Sequence, residues 1–211
     1  MQSSFRLPRV YALTDVELSG LSHADQVQLL SRGGATLVQL RDKQSPLLQF
    51  YEHARAAMAV AAGGGVQLII NDRADVALAV GAHGVHLGQD DMPPEAARKI
   101  LGPEAIIGYS THSVEQAERA LDLPIDYIAI GPIFATNTKT STSPTLGLEG
   151  LRAVRETVGN VPLVAIGGIS HANARDVIKA GADSVAVISA LLSDPTRISD
   201  STRTLNTIVL R

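Results

Sequence analysis

The feature that most constrains this chain is an alternation running from end to end. Eight short apolar runs are separated by helix-length segments: Val10–Leu13, Leu37–Leu40, Leu68–Ile70, Val85–Leu87, Ile106–Ile107, Tyr127–Ile130, Leu163–Ile166 and Val185–Ile188. The runs are mostly continuous and rich in Val, Ile and Leu, as strands covered on both faces should be. The segments between them carry helix signals. Ser22–Arg32 opens on a capping residue, Pro93-Pro94 opens a segment through Leu101, and Ser113 is followed by Gln116 three places on. Further helical patterns cover 46–62, 73–80, 150–158 and 171–180, and the tail after Asp194 has room for one more. A short joint also recurs between helix and strand: Gly33-Gly34-Ala35-Thr36, Gly81-Ala82-His83-Gly84 and Gly181-Ala182-Asp183-Ser184. Glycine ends a helix in the left-handed conformation without a Cβ clash. Repeated use of one joint suits stacked βα units, so the expected fold is α/β, a (β/α)8 TIM barrel in a single domain over 1–211. An open doubly wound sheet is the runner-up. It loses support because no GxGxxG follows a strand and no GxxxxGK[ST] occurs.

Composition narrows the function. Hydrophobic residues make up 45% of the 211, enough for a sizeable core. The net charge of −3 has no long run of either sign, which argues against nucleic acid or an anionic membrane as the main partner. Aromatics are 3% with no Trp, so stacking platforms for bases or sugars are not expected. The absence of Cys excludes disulfides, thiolate catalysis and Cys-ligated zinc. There is no apolar signal core before Pro8, and the least charged internal stretch, between Arg55 and Asp72, is broken by Gly63-Gly64-Gly65. A cytoplasmic protein without a membrane span is the expectation. A homo-oligomer is allowed but not required.

In a barrel, the residues just past each strand converge on one mouth. Strand 2 ends Gln39-Leu40-Arg41-Asp42-Lys43, and alternation aims Gln39, Arg41 and Lys43 the same way. Two cations beside Gln suit an anion. Asn71 and Asp72 follow strand 3, where they could equally cap the next helix. Asp91 follows strand 4, and two carboxylates at one mouth without Cys suit Mg²⁺. His86 reads better as a hydrogen-bonded barrel histidine than as a base. Strand 5 gives Tyr109-Ser110-Thr111-His112, in which Ser110 can donate to an anion. After strand 6 comes a polar tract, Thr136-Asn137-Thr138-Lys139, whose hydroxyls and lysine suit phosphate oxygens. Gly168 after strand 7, with Ile188 and Ser189 after strand 8, matches the usual barrel phosphate site, although a plain turn and cap would read the same. Two anion sites result, one cationic and metal-assisted, the other built from amides and hydroxyls. That pairing suggests displacement of pyrophosphate by a phosphorylated nucleophile.

The stretches QLRDK, IINDR, GVHLGQDDMP, IGYSTHS, DYIAIGPIFATNTK, AIGGI and ADSVAVIS together resemble the thiamine-phosphate synthase family across nearly the whole chain. The resemblance implies a (β/α)8 barrel enzyme. It joins 4-amino-2-methyl-5-(diphosphooxymethyl)pyrimidine to 4-methyl-5-(2-phosphoethyl)thiazole, or its 2-carboxy form, giving thiamine phosphate and pyrophosphate. It implies that Gln39, Leu40, Arg41, Asp42 and Lys43, with Asn71, Ser110 and Lys139, hold the pyrimidine diphosphate. By the same resemblance Asp72 and Asp91 hold Mg²⁺, and Thr136, Asn137, Thr138, Gly168, Ile188 and Ser189 meet the thiazole phosphate. Arg41, Lys43, Lys139 and Ser110 would be the catalytic set, in a dissociative displacement. Asp42 stands where the family often has Glu, and Tyr109 where a smaller apolar residue is common. A thiazole tautomerase with His112 as base, and a non-catalytic binder of thiamine phosphates, are the competing readings.

Overall fold

All eight apolar runs form strands in the computed structural model, which describes residues 5–136 and 144–210. They are β1 Val10–Leu13, β2 Leu37–Leu40, β3 Gln67–Asn71, β4 Gly84–Leu87, β5 Ile106–Thr111, β6 Tyr127–Ile130, β7 Leu163–Ile166 and β8 Ser184–Val187. Every neighbouring pair is parallel, and β8 pairs with β1, so the sheet is closed in sequence order. Closure excludes the open doubly wound alternative. Helices α1 Val16–Ser19, α2 His23–Arg32, α3 Leu47–Gly64, α4 Ala74–Val80, α5 Pro94–Leu101, α6 Val114–Arg119, α7 Gly147–Val158, α8 Ala174–Lys179, α9 Ser189–Leu192 and α10 Ile198–Leu210 surround it. The tail does hold a helix: α10 lies against α2, with Ser199 Oγ donating to the Leu29 carbonyl at 2.8 Å. Among the described residues no helix is long and apolar enough to cross a membrane.

Alternation along each strand splits the core into two layers. Val10, Ala12, Val38, Leu40, Leu68, Ile70, Val85, Leu87, Ile128 and Ile130 face the helices. Tyr11, Leu13, Leu37, Ile69, Ile106, Tyr127, Ala129, Val164 and Ala186 fill the barrel interior. Tyr11 and Tyr127 are fully buried and meet edge to face, ring centroids 5.8 Å apart. Gly108 on β5 makes room for them, since a Cβ there would fall on the Tyr127 ring.

At the N-terminal end of the strands one clasp is used three times. The residue just before β4, β6 or β8 donates its N–H to a carbonyl at the start of the preceding strand, and its side chain accepts that same residue's N–H. His83 does this with Leu68 (2.9 and 3.0 Å), Asp126 with Ile107 (2.8 and 2.8 Å) and Asp183 with Leu163 (2.8 and 2.9 Å). Arg98 of α5 adds an ion pair to Asp126 at 2.8 Å, and Arg155 of α7 adds one to Asp183 at 2.7 Å. Two of these three residues lie in the glycine-led joints read from the sequence.

Candidate active site

At the other end of the strands the interior opens into a cavity of about 110 Å³. Its wall includes Gln39, Arg41, Asn71, His86, Ser110, His112, Thr136, Gly168, Ile188 and Ser189. Beneath that wall runs a chain of hydrogen bonds. Gln39 Nε2 donates to the Tyr11 hydroxyl at 3.0 Å, the Tyr11 and Tyr127 hydroxyls are 2.9 Å apart, and Tyr127 meets His86 Nδ1 at 2.9 Å. His86 Nε2 lies 2.9 Å from Ser110 Oγ. Burial pushes both phenols up, so both hydroxyls keep their protons at ordinary pH. Assigned in one direction, from Gln39 to Ser110, each donor is used once and the Ser110 hydroxyl is left to donate into the cavity. Asn71 stands beside it, 7% exposed, and its Nδ2 has no hydrogen-bond partner among the described residues. A buried amide without a partner costs roughly 1–3 kcal/mol, which a ligand acceptor would recover.

The charged group sits at the ends of β2, β3 and β4. Lys43 Nζ pairs with Asp72 Oδ2. Burial raises the Asp72 carboxyl, Lys43 opposes that rise, and the neighbouring carboxylate of Asp91 adds to it. Asp72 takes φ +64°, a left-handed backbone uncommon outside glycine and found at ligand sites. Asp91 is fixed from behind, its Oδ2 accepting the Gly88 N–H at 2.7 Å.

Opposite lies a cradle of backbone. Gly167 and Gly168 have φ +104° and +62°, and a Cβ on Gly168 would strike Phe134 and the Ala135 carbonyl. The β7 loop can approach the β6 loop this closely only with glycine. His112 is held by its own fold, Nδ1 lying 2.6 Å from the Gly131 carbonyl and its N–H bonded to Gln116 Oε1.

Of the residues expected from sequence, Gln39, Arg41, Asn71, Ser110, Thr136, Gly168, Ile188 and Ser189 share this cavity. Lys43, Asp72 and Asp91 gather beside one another, outside the cavity wall. Asn137, Thr138 and Lys139 lie outside the described residues. Leu40 and Asp42 point away: the Leu40 side chain is fully buried in the outer layer, and the Asp42 carboxylate faces His23 and His53. Either could reach a ligand in this cavity only through its backbone. Tyr11 and Tyr127 were not singled out from sequence, although alternation through VYAL and YIAI aims both inward.

A closed (β/α)8 barrel with a cationic, carboxylate-bearing rim on one side and a glycine cradle on the other defines a handler of phosphorylated small molecules. The family described as thiamine monophosphate synthase matches residues 10–191, and the chain belongs to that family. It is 50% identical over 202 residues to the thiamine-phosphate synthase of Koribacter versatilis, covering 92% of this chain and 94% of that one. It is 53% identical over 184 residues to the thiamine-phosphate synthase of Albidiferax ferrireducens, covering 87% and 84%. Its structure is similar to the thiamine phosphate pyrophosphorylase of Pyrococcus furiosus, with a TM-score of 0.86 and 39% identity over 96% of this chain and 95% of the other.

Proposed function

We infer that this chain is a thiamine-phosphate synthase. It condenses the diphosphate ester of the aminopyrimidine with the thiazole phosphate, or its 2-carboxy form, and releases pyrophosphate; from the 2-carboxy form the carboxylate also leaves as carbon dioxide, and C2 takes up a proton. The observation that carries the reading is that one rim bears both anion-binding sets. Arg41, Lys43, Asp72 and Asp91 stand at the ends of β2 to β4, and Gly168, Ile188 and Ser189 at β7 and β8. A monophosphate isomerase would need only the second set. An isomerising tautomerase is not favoured for the same reason, and His112, its obvious base, has one ring nitrogen committed to the Gly131 carbonyl.

The chemistry follows from the charges. The bond from the pyrimidine methylene carbon to the diphosphate oxygen breaks, with its electron pair leaving on oxygen. The electron-rich aminopyrimidine stabilises the cation, and the thiazole nitrogen lone pair attacks it. That nitrogen carries no proton, so no general base is required. The protein's task is to orient two substrates and to offset charge on the departing diphosphate. Arg41, Lys43 and Lys139 supply positive charge, and Gln39, Asn71 and Ser110 supply hydrogen bonds. Thr136, Asn137, Thr138 and the glycine cradle hold the thiazole phosphate. Asp72 and Asp91 are hard oxygen donors, Asp72 already paired with one cation, Lys43, and they would hold Mg²⁺. Bound there, Mg²⁺ supplies further positive charge to the diphosphate oxygens. The same proposal takes the enzyme as cytoplasmic and residues 1–211 as one domain.

Pyrophosphate release by the purified chain tests it. Release should need both substrates and should stop in excess chelator. Turnover that is equal with chelator would remove the metal from the reading. Failure to make thiamine phosphate from either thiazole form would remove the reading itself.

A further inference from the structure

His23, Asp42 and His53 come from three elements, the start of α2, the loop after β2 and the middle of α3, and meet away from the cavity. One carboxylate oxygen of Asp42 is fixed by its own loop, accepting the N–H groups of Gln44 at 3.1 Å and Ser45 at 3.0 Å. The other, Oδ2, faces two imidazoles, His53 Nδ1 at 3.2 Å and His23 Nε2 at 3.4 Å. The three ligand atoms all lie within 4.8 Å of one another.

His23 is held from behind. Thr14 Oγ1 donates to the Gln39 carbonyl at 3.4 Å, accepts the Arg41 N–H at 3.2 Å and lies 2.7 Å from His23 Nδ1. That short contact turns the other ring nitrogen, Nε2, toward Asp42 Oδ2, 3.4 Å away. The His23 side chain is 1% exposed, and its Nε2 is buried outside hydrogen-bond geometry with any described residue.

We propose that His23, Asp42 and His53 form a transition-metal site of the Zn²⁺ class, separate from the carboxylates at the rim. Around a tetrahedral ion with bonds of about 2.0–2.1 Å, ligand atoms stand about 3.3–3.4 Å apart. The two separations from Asp42 Oδ2, 3.2 and 3.4 Å, match that spacing. Two imidazoles and a carboxylate suit Zn²⁺ or its neighbours better than Mg²⁺, which prefers oxygen. Thr14 behind His23, and the loop amides behind Asp42, are the outer partners that orient such ligands. His53 is a third exposed, leaving room for a water as fourth ligand. Asp42 lies between Arg41 and Lys43 in the chain, so an ion here ties the diphosphate-binding segment to α2 and α3.

The metal-stripped full chain is titrated with Co²⁺ in excess Mg²⁺, and the visible d–d absorption is followed. One equivalent should bind with the intense band of four-coordinate Co²⁺, and Zn²⁺ should displace it. Asp72→Asn should keep the band. His53→Ala should weaken binding by more than the roughly 10–100-fold that loss of an outer partner costs. Should that variant not fold, Asp42→Asn, which keeps the shape, decides in its place. No bound equivalent in the parent chain, or unchanged affinity in the folded variant, overturns the proposal. The readout is absorbance, so it stands or falls apart from thiamine-phosphate synthesis.

Discussion

The hydroxyls of Tyr11 and Tyr127 meet 2.9 Å apart inside the barrel, on strands separated by 116 residues of chain. Each is also bonded outward, Tyr11 to Gln39 and Tyr127 to His86. The pair therefore joins the packed interior to the wall of the cavity.

Tyr127→Phe removes the middle of that chain and leaves the Tyr11 hydroxyl and His86 Nδ1 short of a buried partner. The expected cost is about 1–3 kcal/mol. In urea the unfolding midpoint should fall with an unchanged slope. A midpoint equal to that of the parent would show that the two groups find other partners at no cost.

Gly108→Ala puts a methyl into the space of the Tyr127 ring. Overpacking of this kind costs about 1–3 kcal/mol. Gly63, in α3, has nothing within 4 Å of an added Cβ. Gly63→Ala should instead stabilise by about 0.5–1 kcal/mol through helix propensity. Thermal melts of the two variants should move in opposite directions.

His83 predicts a pH dependence. Burial lowers its basicity, and Nδ1 must be unprotonated to accept the Leu68 N–H. Arg6 and Glu104 border the same hollow. The folded state holds the proton less tightly than the unfolded chain, whose histidine titrates near about 6.5. This stability is therefore full above that pH and is lost as pH falls through the lowered folded value. Denaturation curves across this range should flatten in His83→Gln. An equally steep loss in that variant would assign the effect to another group.

Arg41→Ala and Lys139→Ala should each lower kcat/KM by about 10²–10³-fold, the usual loss for one donor to transition-state charge. Circular dichroism should be unchanged. Near-normal pyrophosphate release in either variant would take that residue out of the leaving-group role.

Much of the architecture was legible because parallel strands covered on both faces leave unbroken runs such as LVQL and YIAI, and because one joint recurs. Alternation also placed Gln39 and Arg41 on the cavity correctly. Lys43 follows the same alternation, but its ammonium is drawn to Asp72, a partner 29 residues away that spacing cannot reveal. Asp42 is the sharper case. It sits inside a motif read as diphosphate-binding, yet its carboxylate turns to histidines on two surrounding helices, neither singled out in the sequence. The left-handed backbone of Asp72 was equally hidden, since nothing local distinguishes an aspartate at φ +64° from one in an ordinary turn.

The threefold clasp of His83, Asp126 and Asp183 has a consequence for how this enzyme can change. Each clasp indexes one strand against its neighbour at the end of the barrel opposite the cavity. The register of these pairs is thus held away from the loops around the cavity, and those loops are at liberty to diverge, lengthen or be exchanged between relatives while the staves keep their alignment.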